Sequence, residues 1–129
     1  MNRQIVSTTN APSPVGPYSQ AVVAGDLVFV AGQIALDPET GKLVDGGTAA
    51  EAPRVLANLA AILDAAGCSM ADVVKTTVYL VDLMDGPTVT AAYTKAFPAP
   101  YPARATVQVS ALPAGARIEI EAIAHRTPR

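Results

Sequence analysis

Between Val55 and Ala66 the apolar side chains fall at Val55, Leu56, Leu59, Ile62, Leu63 and Ala66. That three-and-four spacing marks one face of a helix, predicted here over residues 49–66. Thr48, with Glu51 three residues later, has the form of a capping box. Gly67 can end the helix in the left-handed conformation. Pro53 conflicts with this start: either the first turn is distorted, or the regular helix begins nearer the proline. Elsewhere the rhythm changes. Residues 73–81 (VVKTTVYLV) are rich in β-branched side chains and read as a strand. Near the C-terminus, Ile118, Ile120, Ala122 and Ala124 alternate with Arg117, Glu119, Glu121 and His125, the period-two pattern of a strand with one apolar face. Residues 104–110 alternate in the same way, Ala105, Val107 and Val109 against Arg104, Thr106, Gln108 and Ser110. The apolar faces of both strands are expected to lie under helices. The polar faces either meet water or line a cavity between subunits.

The remaining elements are shorter. Residues 4–7, 20–24 and 27–31 read as strands, the last two joined by a Gly25-Asp26 turn. Between the first two, Pro12, Pro14, Gly16 and Pro17 exclude regular structure. Residues 33–47 read as loop, and residues 88–97 as a second helix after Gly86-Pro87. Pro98, Pro100 and Pro102 then impose an extended loop, and a turn at 113–115 joins the last two strands. The order is β-β-β-α-β-α-β-β. It predicts one α+β domain over residues 1–129, a mixed sheet with two helices on one face.

Composition adds a constraint. The chain has 129 residues, 50% of them hydrophobic and only 16% charged, against roughly 25% charged in a typical soluble chain. Its mean hydropathy is +0.31. Such a surface enters a membrane or is buried against copies of itself. No apolar run approaches the roughly 18 residues of a spanning helix, and Gly25 and Asp26 interrupt one of the longest. The start, Met1-Asn2-Arg3-Gln4, lacks a basic segment followed by an apolar one, so no signal peptide is expected and the cytoplasm is the expected location. Self-association is the remaining explanation. One His, His125, and one Cys, Cys68, cannot supply a structural zinc site. A net charge of −2, with nine dispersed basic residues, offers no footprint for nucleic acid.

Two side chains could carry chemistry. Arg104 follows three prolines at a strand entrance, and a guanidinium binds a carboxylate through two parallel hydrogen bonds. A solvated or salt-bridged arginine is the commoner role for such a position. Glu119 lies mid-strand on the polar face, where a carboxylate can orient or deprotonate water. Half of an exposed ion pair is the plainer role, and Glu121 shares the face, so pattern alone does not choose between the two. Tyr18 closes the proline-rich loop as a ligand contact or a packing residue. Gly32 ends a strand, where backbone can approach a ligand or simply turn. His125 reads as a surface residue and Cys68 as structural or incidental.

These residues recur within a set of short motifs: GPYSQA at 16–21, AGQI at 31–34, VKTTVYL at 74–80, YPARATV at 101–107 and IEIEA at 118–122. Together, in this order and spacing, they resemble the Rid family of reactive intermediate deaminases, the YjgF-like proteins, over residues 11–126. The resemblance implies a chorismate-mutase-like fold of the bacillary type, assembled as a homotrimeric barrel with ligand clefts between adjacent subunits. It implies hydrolysis of 2-imino acids, such as 2-iminopropanoate and 2-iminobutanoate, to 2-keto acids and ammonia, with no metal or organic cofactor. By that likeness Arg104 binds the substrate carboxylate and Glu119 positions the attacking water. Tyr18 and Gly32 line the cleft, and Thr106 offers its main-chain N–H. Three positions depart from many deaminating members: Ala31 stands where they carry Ser, Thr90 where they carry Asn, and Thr106 where they carry Cys. The loop before Arg104 is about three residues shorter by alignment. Two other functions share such folds. One is a non-enzymatic trimer that binds small carboxylates. The other is an endoribonuclease, which the acidic charge balance disfavours.

Overall fold

The computed structural model describes residues 3–127. Met1 and Asn2, on which the signal-peptide expectation partly rests, and Pro128 and Arg129, the end of the expected 1–129 domain, lie outside the described residues. The strands are β1 (Arg3–Val6), β2 (Ala21–Ala24), β3 (Leu27–Gln33), β4 (Val73–Leu80), β5 (Ala103–Gln108) and β6 (Ile118–His125). Helices α1 (Gly47–Ala65) and α2 (Gly86–Ala96) flank β4 in sequence. The element order and the α+β class are those the pattern predicts. All six strands form one sheet in the order β1-β2-β3-β6-β4-β5. Only β4 and β5 run parallel, and α2 supplies the crossover a parallel pair requires. No helix among the described residues is long and apolar enough to cross a membrane.

The apolar stripe of α1 is buried as its spacing requires, in one core with Val28, Val30, Val78, Leu80, Ile118, Ile120 and Ala124 from the sheet. The helix also ends as expected. Gly67 has φ 81°, its N–H reaches the Asp64 carbonyl at 3.0 Å, and the Cys68 N–H reaches Leu63 at 2.8 Å. That pair of bonds is a Schellman cap.

The start of α1 corrects the sequence reading. The helix begins at Gly47, so Pro53 lies inside it rather than near its start, and Gly46 is the N-cap with φ 117° and no side-chain cap. Thr48 and Glu51 form no capping box, because both have partners elsewhere in the fold. The Thr48 hydroxyl donates to Asp85 Oδ2 at 2.7 Å, and Glu51 Oε1 accepts the Arg117 N–H at 2.9 Å. Arg117 also pairs with Asp85 at 2.7 Å. This cluster ties the starts of α1, α2 and β6 together. The Thr48 hydroxyl and the Arg117 guanidinium hold the Asp85 carboxyl below its ordinary value of 3.8. A depressed carboxyl stabilises the fold above its unfolded pKa, and that contribution is lost as pH falls through the folded value. Asp85→Asn is therefore expected to lower the melting temperature by about 2–4 °C at pH 7. The gap should close in strong acid. An equal gap at pH 7 and pH 2 in thermal melts would contradict this account.

The second correction concerns β5. Paired residues on neighbouring strands point to the same side of a sheet. Arg104, Thr106 and Gln108 pair with Thr76, Val78 and Leu80, which are buried beneath the helices. Arg104 and Thr106 thus lie on the helical side, and Ala105 and Val107 on the bare face, the reverse of the pattern-based expectation. Every residue of β5 is exposed in the single chain, because β5 is an edge strand. The helical cover ends before reaching it. By contrast β6 is oriented as predicted, with Ile118, Ile120, Ala122 and Ala124 buried.

Candidate active site

The sheet, helix α2 and the loop before β2 place the predicted site residues in two groups. On the helical side, Arg104 projects from the edge strand toward α2. Its guanidinium carbon sits 4.8 Å from the centroid of the Tyr93 ring. Thr90, Tyr93, Thr94, Tyr101, Pro102 and Arg104 line a cleft of about 350 Å³. Thr106 lies two residues further along β5, on the same side. As an edge strand, β5 leaves one row of main-chain N–H and C=O groups outside the sheet, accessible to a ligand.

The second group lies around the end of β3. Between Val30 and Gln33 the register against β6 slips, so Ala31 and Gly32 form a bulge. Gly32 is needed there for space, not for an unusual φ. A Cβ at that position would stand 2.5 Å from Glu119 Oε2 and 2.9 Å from Glu119 Cδ. Gly32→Ala should therefore displace the carboxylate while leaving the backbone in place, because the obstructed atoms end a flexible side chain. A displaced Glu119 carboxylate with an unchanged melting temperature is expected, read from a crystal structure and thermal melts of the variant. A large drop in melting temperature would instead assign Gly32 a packing role.

The structure distinguishes the two acids that the alternation left equivalent. Glu119 is half-buried and Glu121 exposed. Burial pushes the Glu119 carboxyl above the ordinary value of 4.5, and the neighbouring charge of Glu121 adds to the rise. Tyr79 is opposite Glu119 in register, and its phenol is pushed up by burial and by the charges of Glu121 and Glu119.

Tyr18 shares a small cavity of about 30 Å³ with Gly32, Pro12 and Gln33. Its hydroxyl accepts the Val15 N–H at 3.3 Å. The loop that carries it is fixed by Gln20, which is buried. Gln20 Nε2 donates to the carbonyls of Thr8 at 3.0 Å and Pro12 at 2.9 Å, and its Oε1 accepts the Thr8 N–H at 2.7 Å. Gln20 stands within a quoted motif, yet sequence reasoning gave it no role. A glutamine opening an otherwise apolar strand was the available signal. Tyr93 was missed as well; it lies three residues after Thr90 on the same helical turn.

The two groups do not meet within one chain. Arg104, Thr106 and Thr90 lie on the helical side, whereas Glu119 shares the bare face with Tyr79 and Thr77. Among the described residues no set of three or more His, Cys, Asp or Glu side chains is placed to hold a metal ion.

The class is thus a single-sheet α+β domain that displays an arginine over an aromatic ring on one side and a half-buried carboxylate beside a glycine bulge on the other. The sequence model of the endoribonuclease L-PSP family matches residues 8–126, and the chain belongs to that family, that of the YjgF and RidA proteins. The human protein named 2-iminobutanoate/2-iminopropanoate deaminase is 51% identical over 98% of this chain and 92% of its own length. The mouse protein of the same name is 52% identical over 98% and 93%. Among solved structures, RidA from an Antarctic Psychrobacter superposes with a TM-score of 0.92 at 47% identity, covering 95% of this chain and 98% of its own. E. coli TdcF with bound serine superposes at 0.91 and 41% identity, covering 96% and 99%.

Proposed function

We propose that this chain is a hydrolytic imine deaminase, converting 2-imino acids to 2-keto acids and ammonia. The observation that carries the reading is an arginine that has no acidic partner among the described residues, in a chain about half identical to the human deaminase over nearly its whole length. Arg104 holds the substrate carboxylate through two parallel N–H donors, with the Thr106 N–H and the Thr90 side chain beside it. Glu119 orients a water molecule toward the imine carbon. That carbon is already electrophilic once its nitrogen is protonated, so position and one proton acceptor suffice. Water adds its oxygen to the carbon while Glu119 takes the proton. Glu119 passes that proton to the nitrogen; as the C–N bond breaks, the remaining hydroxyl proton goes to the Glu119 carboxylate, the C=O bond forms, and ammonia leaves behind a 2-keto acid.

Because the two groups occupy opposite sides of the sheet, this chemistry requires a second copy to bring Glu119, Tyr18 and Gly32 to the cleft of Arg104. A homotrimer with its bare faces turned inward meets that requirement. In support, Ile5, Val22, Phe29 and Ile123 are paired in register across four strands, forming an apolar row on the bare face. Ile5 and Phe29 are 54% and 43% exposed in the single chain. Burying such a row stabilises association. It also accounts for the shortage of charge. The same reading places the protein in the cytoplasm.

The direct test generates 2-iminopropanoate with an amino-acid oxidase and follows ammonia release with and without the protein. Accelerated release is expected from a particle three times the 13.2 kDa chain mass. A fully active monomer would remove the two-chain site, and absence of acceleration would remove the enzyme. A carboxylate-binding protein without turnover is the second reading, favoured by the serine bound in TdcF. Turnover separates the two. The net charge of −2 gives no support to ribonuclease action, despite the family description.

A further inference from the structure

We propose that Tyr93 is a positioning residue for Arg104: its ring is the platform over which the guanidinium sits, 4.8 Å from the ring centroid. This rests on the reading of Arg104 as the carboxylate clamp. The Arg104 side chain is exposed, and the one ion pair among the described residues joins Arg117 to Asp85 instead. An exposed arginine without a partner samples many rotamers, which is unfavourable for a group that must present two donors in one plane. A ring face restrains it without using those donors, because the cation–π contact engages the flat face and leaves the N–H edge free. An acidic partner would occupy that edge and compete with the ligand.

The platform is itself fixed. The Tyr93 hydroxyl and the Thr76 hydroxyl lie 2.7 Å apart in a buried hydrogen bond. Thr76 is the register partner of Arg104 on the adjacent strand. Anchor, ring and guanidinium thus form one column that crosses from β4 to α2 and back to β5. Phe97 packs against the ring with centroids 4.4 Å apart, on the next turn of chain. Filling the core would need only the ring. The bond to Thr76 sets the direction in which its face points.

The test separates ring electronics from ring shape. Phenylalanine at position 93, then phenylalanine carrying one, two and three fluorines, keeps the volume nearly constant while weakening the negative face of the ring. KM for 2-iminopropanoate is expected to climb stepwise, by about tenfold across the series. The value of kcat and the melting temperature should stay close to those of Tyr93→Phe. Tyr93→Leu, which removes the ring, should raise KM by a comparable factor. NMR gives a readout independent of turnover: the Arg104 side-chain protons should show a ring-current shift in wild type, a smaller one in Tyr93→Phe, which lacks the bond to Thr76, and none in Tyr93→Leu. A flat KM across the fluorinated series, with any loss confined to melting temperature or active fraction, makes Tyr93 a core filler and overturns the proposal. That failure is distinct from failure of the clamp reading. In the latter, Arg104→Ala itself retains wild-type KM and rate, and the platform falls with the clamp.

Discussion

Arg104→Ala is expected to reduce kcat/KM for 2-iminopropanoate hydrolysis by about 1,000-fold, while leaving the melting temperature and particle mass unchanged. The size follows from what is lost: two charge-assisted hydrogen bonds to the one group common to all 2-imino acids, and the orientation that they impose. Stability should not suffer, because in the single chain the side chain is exposed and the one ion pair among the described residues is made by Arg117 instead. Arg104→Lys retains the charge but not the planar fork or the stacking surface on Tyr93, so only partial rescue is expected, about tenfold above the alanine variant. Steady-state kinetics on a range of imino acids provides the check. If the loss varied with substrate side chain rather than being uniform, Arg104 would be reading the side chain and not the carboxylate. If Arg104→Ala dissociated the assembly, the arginine would belong to the interface before it belonged to the cleft.

The legibility of this fold in its sequence follows how completely each element is covered. α1 and β6 each bury one face fully, so their apolar periods are strong and their orientations were read correctly. β5 misled because neither of its faces is covered within one chain. By period alone its small alternating residues point to the helices, as in β6, although the residues on the helical side are Arg104, Thr106 and Gln108. A strand whose cover comes from a cleft or from another copy carries no periodic signal for a core it does not join. The capping box failed for another reason. Thr48 and Glu51 fit the local pattern, but Asp85 and Arg117, far away in sequence, offered stronger partners. Local rules describe what a side chain does when tertiary structure makes no competing offer. The site was legible as a set of motifs, yet its division between two sides of the sheet was not. That division depends on register, which single strands do not reveal. Gln20 and Tyr93 escaped notice since each acts through another residue: Gln20 holds the loop of Tyr18, and Tyr93 lies beneath Arg104.

Glu119→Gln should abolish proton transfer, with a fall in kcat of about 100- to 10,000-fold and a small change in KM. Its pH behaviour makes the sharper prediction. In the proposed mechanism the ionised carboxylate takes the proton of water, so the rate should decline as pH falls through the Glu119 pKa. Burial, then the charge of Glu121, raises that pKa above 4.5. The acid limb of the kcat profile should consequently lie at higher pH than an ordinary glutamate would give. Glu121→Gln removes the neighbouring charge and leaves the burial in place. It should shift the acid limb toward lower pH while preserving the plateau rate above that limb. The direction is diagnostic. If Glu121 were the base, Glu121→Gln would remove activity at every pH. If Glu119 acted only in its protonated form, as an acid, the lowered pKa would instead pull the basic limb of the profile to lower pH and leave the acid limb in place. A limb that stayed fixed on Glu121→Gln would mean that the titrating group is neither of these two carboxyls.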